Sequence, residues 1–287
     1  NDNETTLPTS AAVKDYVDNN AGGGGASVAN DLTDAIVDIT NFVDGFLLQT
    51  DSDGSAPTTG TLNNATGNIG LGKDVFEALT TGDYNVGLGY DALESLTTGS
   101  GNIALGYRAS FANETGSDSV AIGRSALYNS TSSNTVAIGY SAGYSQTSGN
   151  NNVAVGYEAL LSNTTANNNT AVGHGSLFTN STGATNTAVG RDSLKLNTTG
   201  SSNTAVGCGA MEDNTTASDN TAVGQNALHS NTTGTYNTAV ATQALYSNTT
   251  ASSNTAIGYN ALYNTTTGAE NTVIGSQAGD ANTTGQW

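Results

Sequence analysis

A chain of 287 residues with 36 glycines, 10% charged residues and 6% aromatics has the make-up of a low-complexity polypeptide, and 24 acidic against 6 basic residues give a formal charge of -18. Such acidity excludes the basic footprint that nucleic-acid binding and docking on anionic membranes require. The single cysteine, Cys208, allows no intrachain disulfide, and no apolar run approaches the ~18 residues of a membrane-spanning helix.

Residues 1–25 are expected to form an attachment segment. Within it, residues 9–20 read as a short helix, with Ser10 as N-cap and Val13 and Val17 on one face, followed by a flexible link from Gly22 to Gly25. Residues 26–60 are expected to form a stalk and joint. Leu32, Ile36, Ile39, Val43 and Phe46 have a heptad-like spacing that suits a trimeric helical stalk, while the β-branched run from Ala35 to Thr40 suits a strand equally well. From Asp51 to Gly60 the chain is rich in Asp, Ser and Gly and contains Pro57, the composition of a turning joint; Asp51 and Asp53 read as solvated loop carboxylates.

Residues 61–287 are repetitive. A glycine recurs at Gly72, Gly89, Gly106, Gly123, Gly139, Gly156, Gly173, Gly190, Gly207, Gly224, Gly258 and Gly275, with Ala241 in the one missing slot, which makes thirteen units. Every interval is 17 residues except the 16 from Gly123 to Gly139. Units this uniform stack side by side. With the glycine as position zero, position minus three is always β-branched, as in Ile69, Val120 and Thr170. Position minus one is Leu, Ile or Val, and the residue between them is Gly or Ala in all units but the last. That is a strand of period two, and it predicts an all-β parallel β-roll of about thirteen coils. A second apolar site, usually Leu, follows four residues after the glycine, and Asn-Thr-Thr-Gly or Asn-Thr-Thr-Ala closes the coil as a turn. On this reading the branched residues fill the coil. The Gly/Ala face then invites a close neighbour, most simply another copy of the chain about a threefold axis.

Asparagine stands at position minus four in most units, including Asn169, Asn186, Asn203, Asn220, Asn237, Asn254 and Asn271. Stacked coils turn that column into a structural ladder, each amide donating to one neighbour and accepting from the other. The many Asn-Xaa-Thr triplets arise from the turns and read as structure rather than as glycan acceptors. Aromatic residues occupy two columns. Tyr90, Tyr107, Tyr140, Tyr157 and Tyr259 follow the glycine directly and form the candidate recognition surface. Phe111, Tyr128, Tyr144, Phe178, Tyr246 and Tyr263 stand five after it. Facing solvent, these columns are ridges able to stack on sugar rings; facing a groove, they are packing. His174 and His229 fall in different columns, Cys208 sits alone, and the carboxylates Asp74, Asp91, Glu158 and Asp192 are scattered among coils. No triad, metal set or paired carboxylate emerges, so no catalytic residue, metal site or cofactor is expected, and the chain does not read as an enzyme.

Units such as Ser119-Val120-Ala121-Ile122-Gly123 and Thr135-Val136-Ala137-Ile138-Gly139 resemble the repeats in the head domains of trimeric autotransporter adhesins, in a longer form similar to repeats in marine phage tail fibre proteins. The segment from Leu7 to Asp18 resembles a short element common in phage tail fibres. The resemblance implies a homotrimeric virion fibre with host-attachment capacity, joined to other tail proteins through its N-terminus, with a host surface glycan as further partner. A bacterial cell-surface adhesin is the alternative, and a polysaccharide-degrading tailspike follows it. An ice-binding solenoid needs a flat outward threonine array and ranks last, because here the Thr column alternates with a core position.

Overall fold

The computed structural model describes residues 64–285 and the backbone pairing of three short strands between 35 and 48. The helix expected at 9–20 lies outside the described residues. Between Val28 and Leu48 the chain forms strands: β1 (Ala35–Ile36), β2 (Phe42–Val43) and β3 (Phe46–Leu48). Two more follow, β4 (Ala65–Thr66) and β5 (Ile69–Leu71). β3 pairs in parallel with β5, Phe46 beside Ile69, β2 pairs with β4, and β1 turns back antiparallel on β3. The sheet therefore starts one longer step, 69 − 46 = 23 residues, before the glycine-marked coils.

From there each coil carries one three-residue strand, from β6 (Val86–Leu88) to β17 (Thr272–Ile274). All pair in parallel with equivalent residues aligned, Thr170 beside Thr187 beside Thr204. The architecture is an all-β parallel solenoid, with no helix among the described residues. At ~4.8 Å per strand, β5 to β17 extend on the order of 60 Å.

The strand faces are reversed from the sequence expectation. The middle residue points inward: Ala104, Ala137, Ala171, Ala205 and Ala256 are fully buried. The branched residues on either side point outward, and Ile69, Leu71 and Ile274 are 47%, 52% and 71% exposed. Width explains this. Each coil must also hold the Leu at plus four, an Ala or Ser at plus three and two polar side chains, all buried, so the strand has room to contribute only a methyl group. The Gly/Ala column is thus interior and is not a docking face.

Two buried asparagine columns close each coil. In the coil of Gly207, Asn203 at minus four and Asn214 at plus seven both donate Nδ2 to the Ala217 carbonyl, at 2.8 and 3.1 Å. This clamp spans 14 residues and ties the start of the coil to its end. The side-chain oxygens link successive coils. Asn186 Oδ1 accepts the backbone N–H of Asn203 (3.0 Å), and Asn197 Oδ1 accepts Nδ2 of Asn214 (2.7 Å). In the first column the oxygen takes a backbone donor at nearly every rung; an additional amide-to-amide bond forms at some, such as Asn203 to Asn186.

The glycine at position zero is dictated by geometry. Its φ lies between 128° and 141°, and a Cβ on Gly173 would stand 2.5 Å from the carbonyl oxygen of Gly190 in the next coil. Ala241 fills the slot only with φ drawn in to 102°. The 16-residue unit loses its residue in the turn, and both asparagines there become hydroxyl residues, Ser119 and Ser130. Ser130 Oγ lies 2.6 Å from Ser132 Oγ, and Gln146 of the next coil reaches back to Ser132 Oγ at 2.7 Å. A shorter turn is closed by shorter side chains.

The ladders have gaps, and they show in the bonding. Asn248 Oδ1 is buried without a donor because Thr265 stands where the next amide belongs. Thr265→Asn should supply that donor and raise stability by about 0.5–1.5 kcal/mol. The check is the urea midpoint, which should rise; a fall would mean that the column does not accept an amide there.

Candidate functional site

With interior positions committed to closure, chemical variety lies on the surface, and the residues just past each glycine carry the aromatic columns and every described Lys and Arg. The column immediately after it lies outside the coil, and Tyr90, Tyr107, Tyr140, Tyr157 and Tyr259 are 40% to 49% exposed. One coil rise, ~4.8 Å, falls in the centroid spacing of offset-stacked rings, about 4.5–7 Å, so rings in register stack. Tyr90 lies over Tyr107 with centroids 5.4 Å apart, Tyr140 over Tyr157 at 5.1 Å, and Tyr157 over His174 at 5.1 Å. Arg124 bridges the interval, its guanidinium carbon 5.5 Å from the Tyr107 ring and 5.8 Å from Tyr140. Lys73 Nζ covers the Tyr90 ring at 4.6 Å.

The second column, five after the glycine, stacks likewise. Phe111, Tyr128 and Tyr144 form one run at 5.0 Å spacing, and His229, Tyr246 and Tyr263 another at 5.0 and 5.1 Å. Arg108 joins the two columns, 5.2 Å from both Tyr107 and Phe111. This changes what the tyrosines can do. Faces used on one another are closed to sugar rings, and edges and hydroxyls are what solvent meets. Tyr259 alone of the five has no ring partner among the described residues, its column neighbours being Thr242 and Ser276.

The ladder residues Asn169, Asn186, Asn203, Asn220, Asn237, Asn254 and Asn271 are buried and present nothing to a ligand. The turn asparagines Asn163, Asn197, Asn214, Asn231 and Asn248 of Asn-Xaa-Thr triplets are buried too, and so are closed to glycan attachment in the folded coil. The carboxylates stay in separate coils. Asp74 pairs with Lys73 (2.7 Å), Asp91 with Arg108 (2.9 Å), and Asp192 with Arg191 (3.3 Å) and Lys195 (3.1 Å). His174 stands 3.9 Å from Asp192, and His229 lies within 3.5 Å of Glu212 and Asp213. Cys208 is half-buried with Arg191 Nη2 at 3.2 Å. Among the described residues, no group of three or more His, Cys, Asp or Glu is placed to hold a metal, and no helix is long and apolar enough to cross a membrane.

The outward strand columns are the other surface feature. In the first coils both are apolar, as in Ile103 and Leu105. From Thr170 to Ile274 the outer column is threonine in seven consecutive coils, each beside Val or Ile. The threonines alternate with a core alanine and themselves face outward. Burial order could not be read from a Val-Ala-Val pattern, whereas ring stacking follows once a 17-residue period is combined with parallel strand spacing.

Comparisons with family models, with curated proteins and with solved structures find no match to this chain. Fold and surface define a parallel β-solenoid with a uniform interior and a variable exterior.

Glu94 lies in an open acidic trough of about 430 Å³ with Glu77 and Glu114. Burial, then Asp91, Glu77 and Asp74, push its carboxyl up to about 7 from 4.5. A carboxyl that holds its proton more tightly when folded stabilises fully below about pH 4.5, and that contribution is lost as pH rises through about 7. Glu94→Gln should flatten the decline in thermal midpoint across this window. An unchanged decline would place its origin elsewhere.

Proposed function

We propose that the chain is a structural fibre protein of a phage virion, a homotrimeric tail fibre shaft that also meets the host surface, without a catalytic role. The observation carrying the reading is the outward strand face. Branched apolar side chains from Ile69 to Ile274 line up along the rod, and Leu88, Ile103, Ile138 and Ile257 remain exposed in a single chain. A continuous apolar stripe on an otherwise polar rod is the surface along which like chains associate side by side. The repeat resemblance to trimeric adhesin heads and phage fibres supports both the threefold state and an extracellular place. A bacterial surface adhesin is the alternative, and attachment to other tail proteins through residues 1–25 belongs to the virion reading.

Light scattering should return three times the 28.7 kDa chain mass, and Ile103→Glu with Ile138→Glu should reduce it to one. A monomeric wild type would overturn the trimer. Recovery of the chain from purified phage particles, rather than from cell envelopes, separates virion from adhesin.

One observation favours a second reading, ice binding: the seven-coil outward array of threonines beside Val or Ile, with hydroxyl and methyl groups repeating at ~4.8 Å. The same face cannot be both buried in a trimer and open to ice. A monomer showing thermal hysteresis, lost in Thr204→Tyr, would select ice binding; a trimer without hysteresis would remove it.

A further inference from the structure

Every described lysine and arginine projects from the variable exterior, at one, two or five residues past the glycine: Lys73, Arg108, Arg124, Arg191 and Lys195. Four of them stand within ion-pair distance of a carboxylate. Arg124 does not; it is exposed and held between the Tyr107 and Tyr140 rings.

Its surroundings are unusual for a chain of charge -18. In the three coils beginning at Gly106, Gly123 and Gly139, the positions one, two and five after the glycine contain no Asp or Glu. They hold two guanidiniums with five rings and two serine hydroxyls beside them, and Asp91 from the coil before is already neutralised by Arg108 at 2.9 Å. Arg108 spans the two aromatic columns at 5.2 Å from each, so the columns are near neighbours, and only Ser125 and Ser141 stand between them in the next two coils. The stacked rings offer edges and hydroxyls, and the fixed guanidinium offers a planar fork of donors.

We infer that this island binds an anionic polysaccharide, Arg124 taking the carboxylate or sulfate of one sugar while the edges and hydroxyls of Tyr107, Tyr140 and Tyr128 engage its neighbours. A guanidinium held between rings loses little freedom on forming a two-pronged bond to such a group. Stacking on neutral sugars is the poorer match, because the ring faces are occupied. The inference deepens the host-contact part of the fibre reading.

The test is binding of the full chain, in its native assembly state, to immobilised alginate, dextran sulfate and neutral dextran. Alginate tests carboxylate and dextran sulfate tests sulfate as the preferred anion. Wild type should bind at least one polyanion and not neutral dextran. Arg124→Gln should weaken binding roughly tenfold or more, Arg124→Lys should retain part of it, and Arg191→Gln should leave it unchanged. Circular dichroism and light scattering confirm that each variant keeps fold and mass. Equal binding by wild type and Arg124→Gln, or a correctly assembled wild type that ignores both polyanions, overturns the site while leaving the fibre reading intact. A monomeric wild type that still binds through Arg124 does the reverse.

Discussion

The structure depends on one constraint: an amide placed inside a coil this narrow must find its partners within the coil or in the next one. Buried polar groups left unpaired cost about 1–3 kcal/mol each. Asn203 and Asn214 meet the requirement by converging on one carbonyl, Ala217, which is possible only if a set number of residues separates them. Coil length follows from that clamp. Equal coil length in turn aligns every strand, brings each glycine under the carbonyl of the next, and places each exterior column in register. Where one residue is missing, Ser119, Ser130 and Gln146 rebuild the closure with different reach.

Register on the inside imposes repetition on the outside, and the surface chemistry is organised by it. Rings that recur every coil stack face to face, so a row of tyrosines, which would otherwise read as a set of sugar platforms, is a set of exposed edges. Breaks in the row are where a ligand meets something other than a ring edge, and Arg124 is an exposed one held between two rings. The acidic trough around Glu94 obeys the same logic with opposite effect: burial, and the like charges that register places nearby at Asp91, Glu77 and Asp74, make its carboxyl hold its proton more tightly.

Much of the architecture was legible in the sequence. The glycine spacing predicts parallel coils, Asn-Thr-Thr-Gly predicts the turn, and the minus-four asparagines predict a ladder. What was not legible was which strand face points inward. A Thr-Ala-Val strand alternates in either sense, and hydrophobicity argues for burying Val240 over Ala239; the volume already taken by Leu245 and two asparagines decides the opposite. The second asparagine column, at plus seven, was visible as turn residues but not as a buried ladder, because Asn197 reads equally well as a solvated turn asparagine. The aromatic columns can be read off by residue. Whether their faces were free depended on register, which only the stacked structure supplies.

The ladders are also directional. In the first column each Oδ1 is completed by the backbone N–H of the coil that comes later in the chain, as Asn254 Oδ1 is by Asn271. The rod thus has a satisfied side and a waiting side at every stage of its construction, in the order in which a ribosome delivers the coils. Each new unit finishes the bonding of the one before it, so synthesis and folding can advance together. The partly made molecule then differs from the complete one mainly in length.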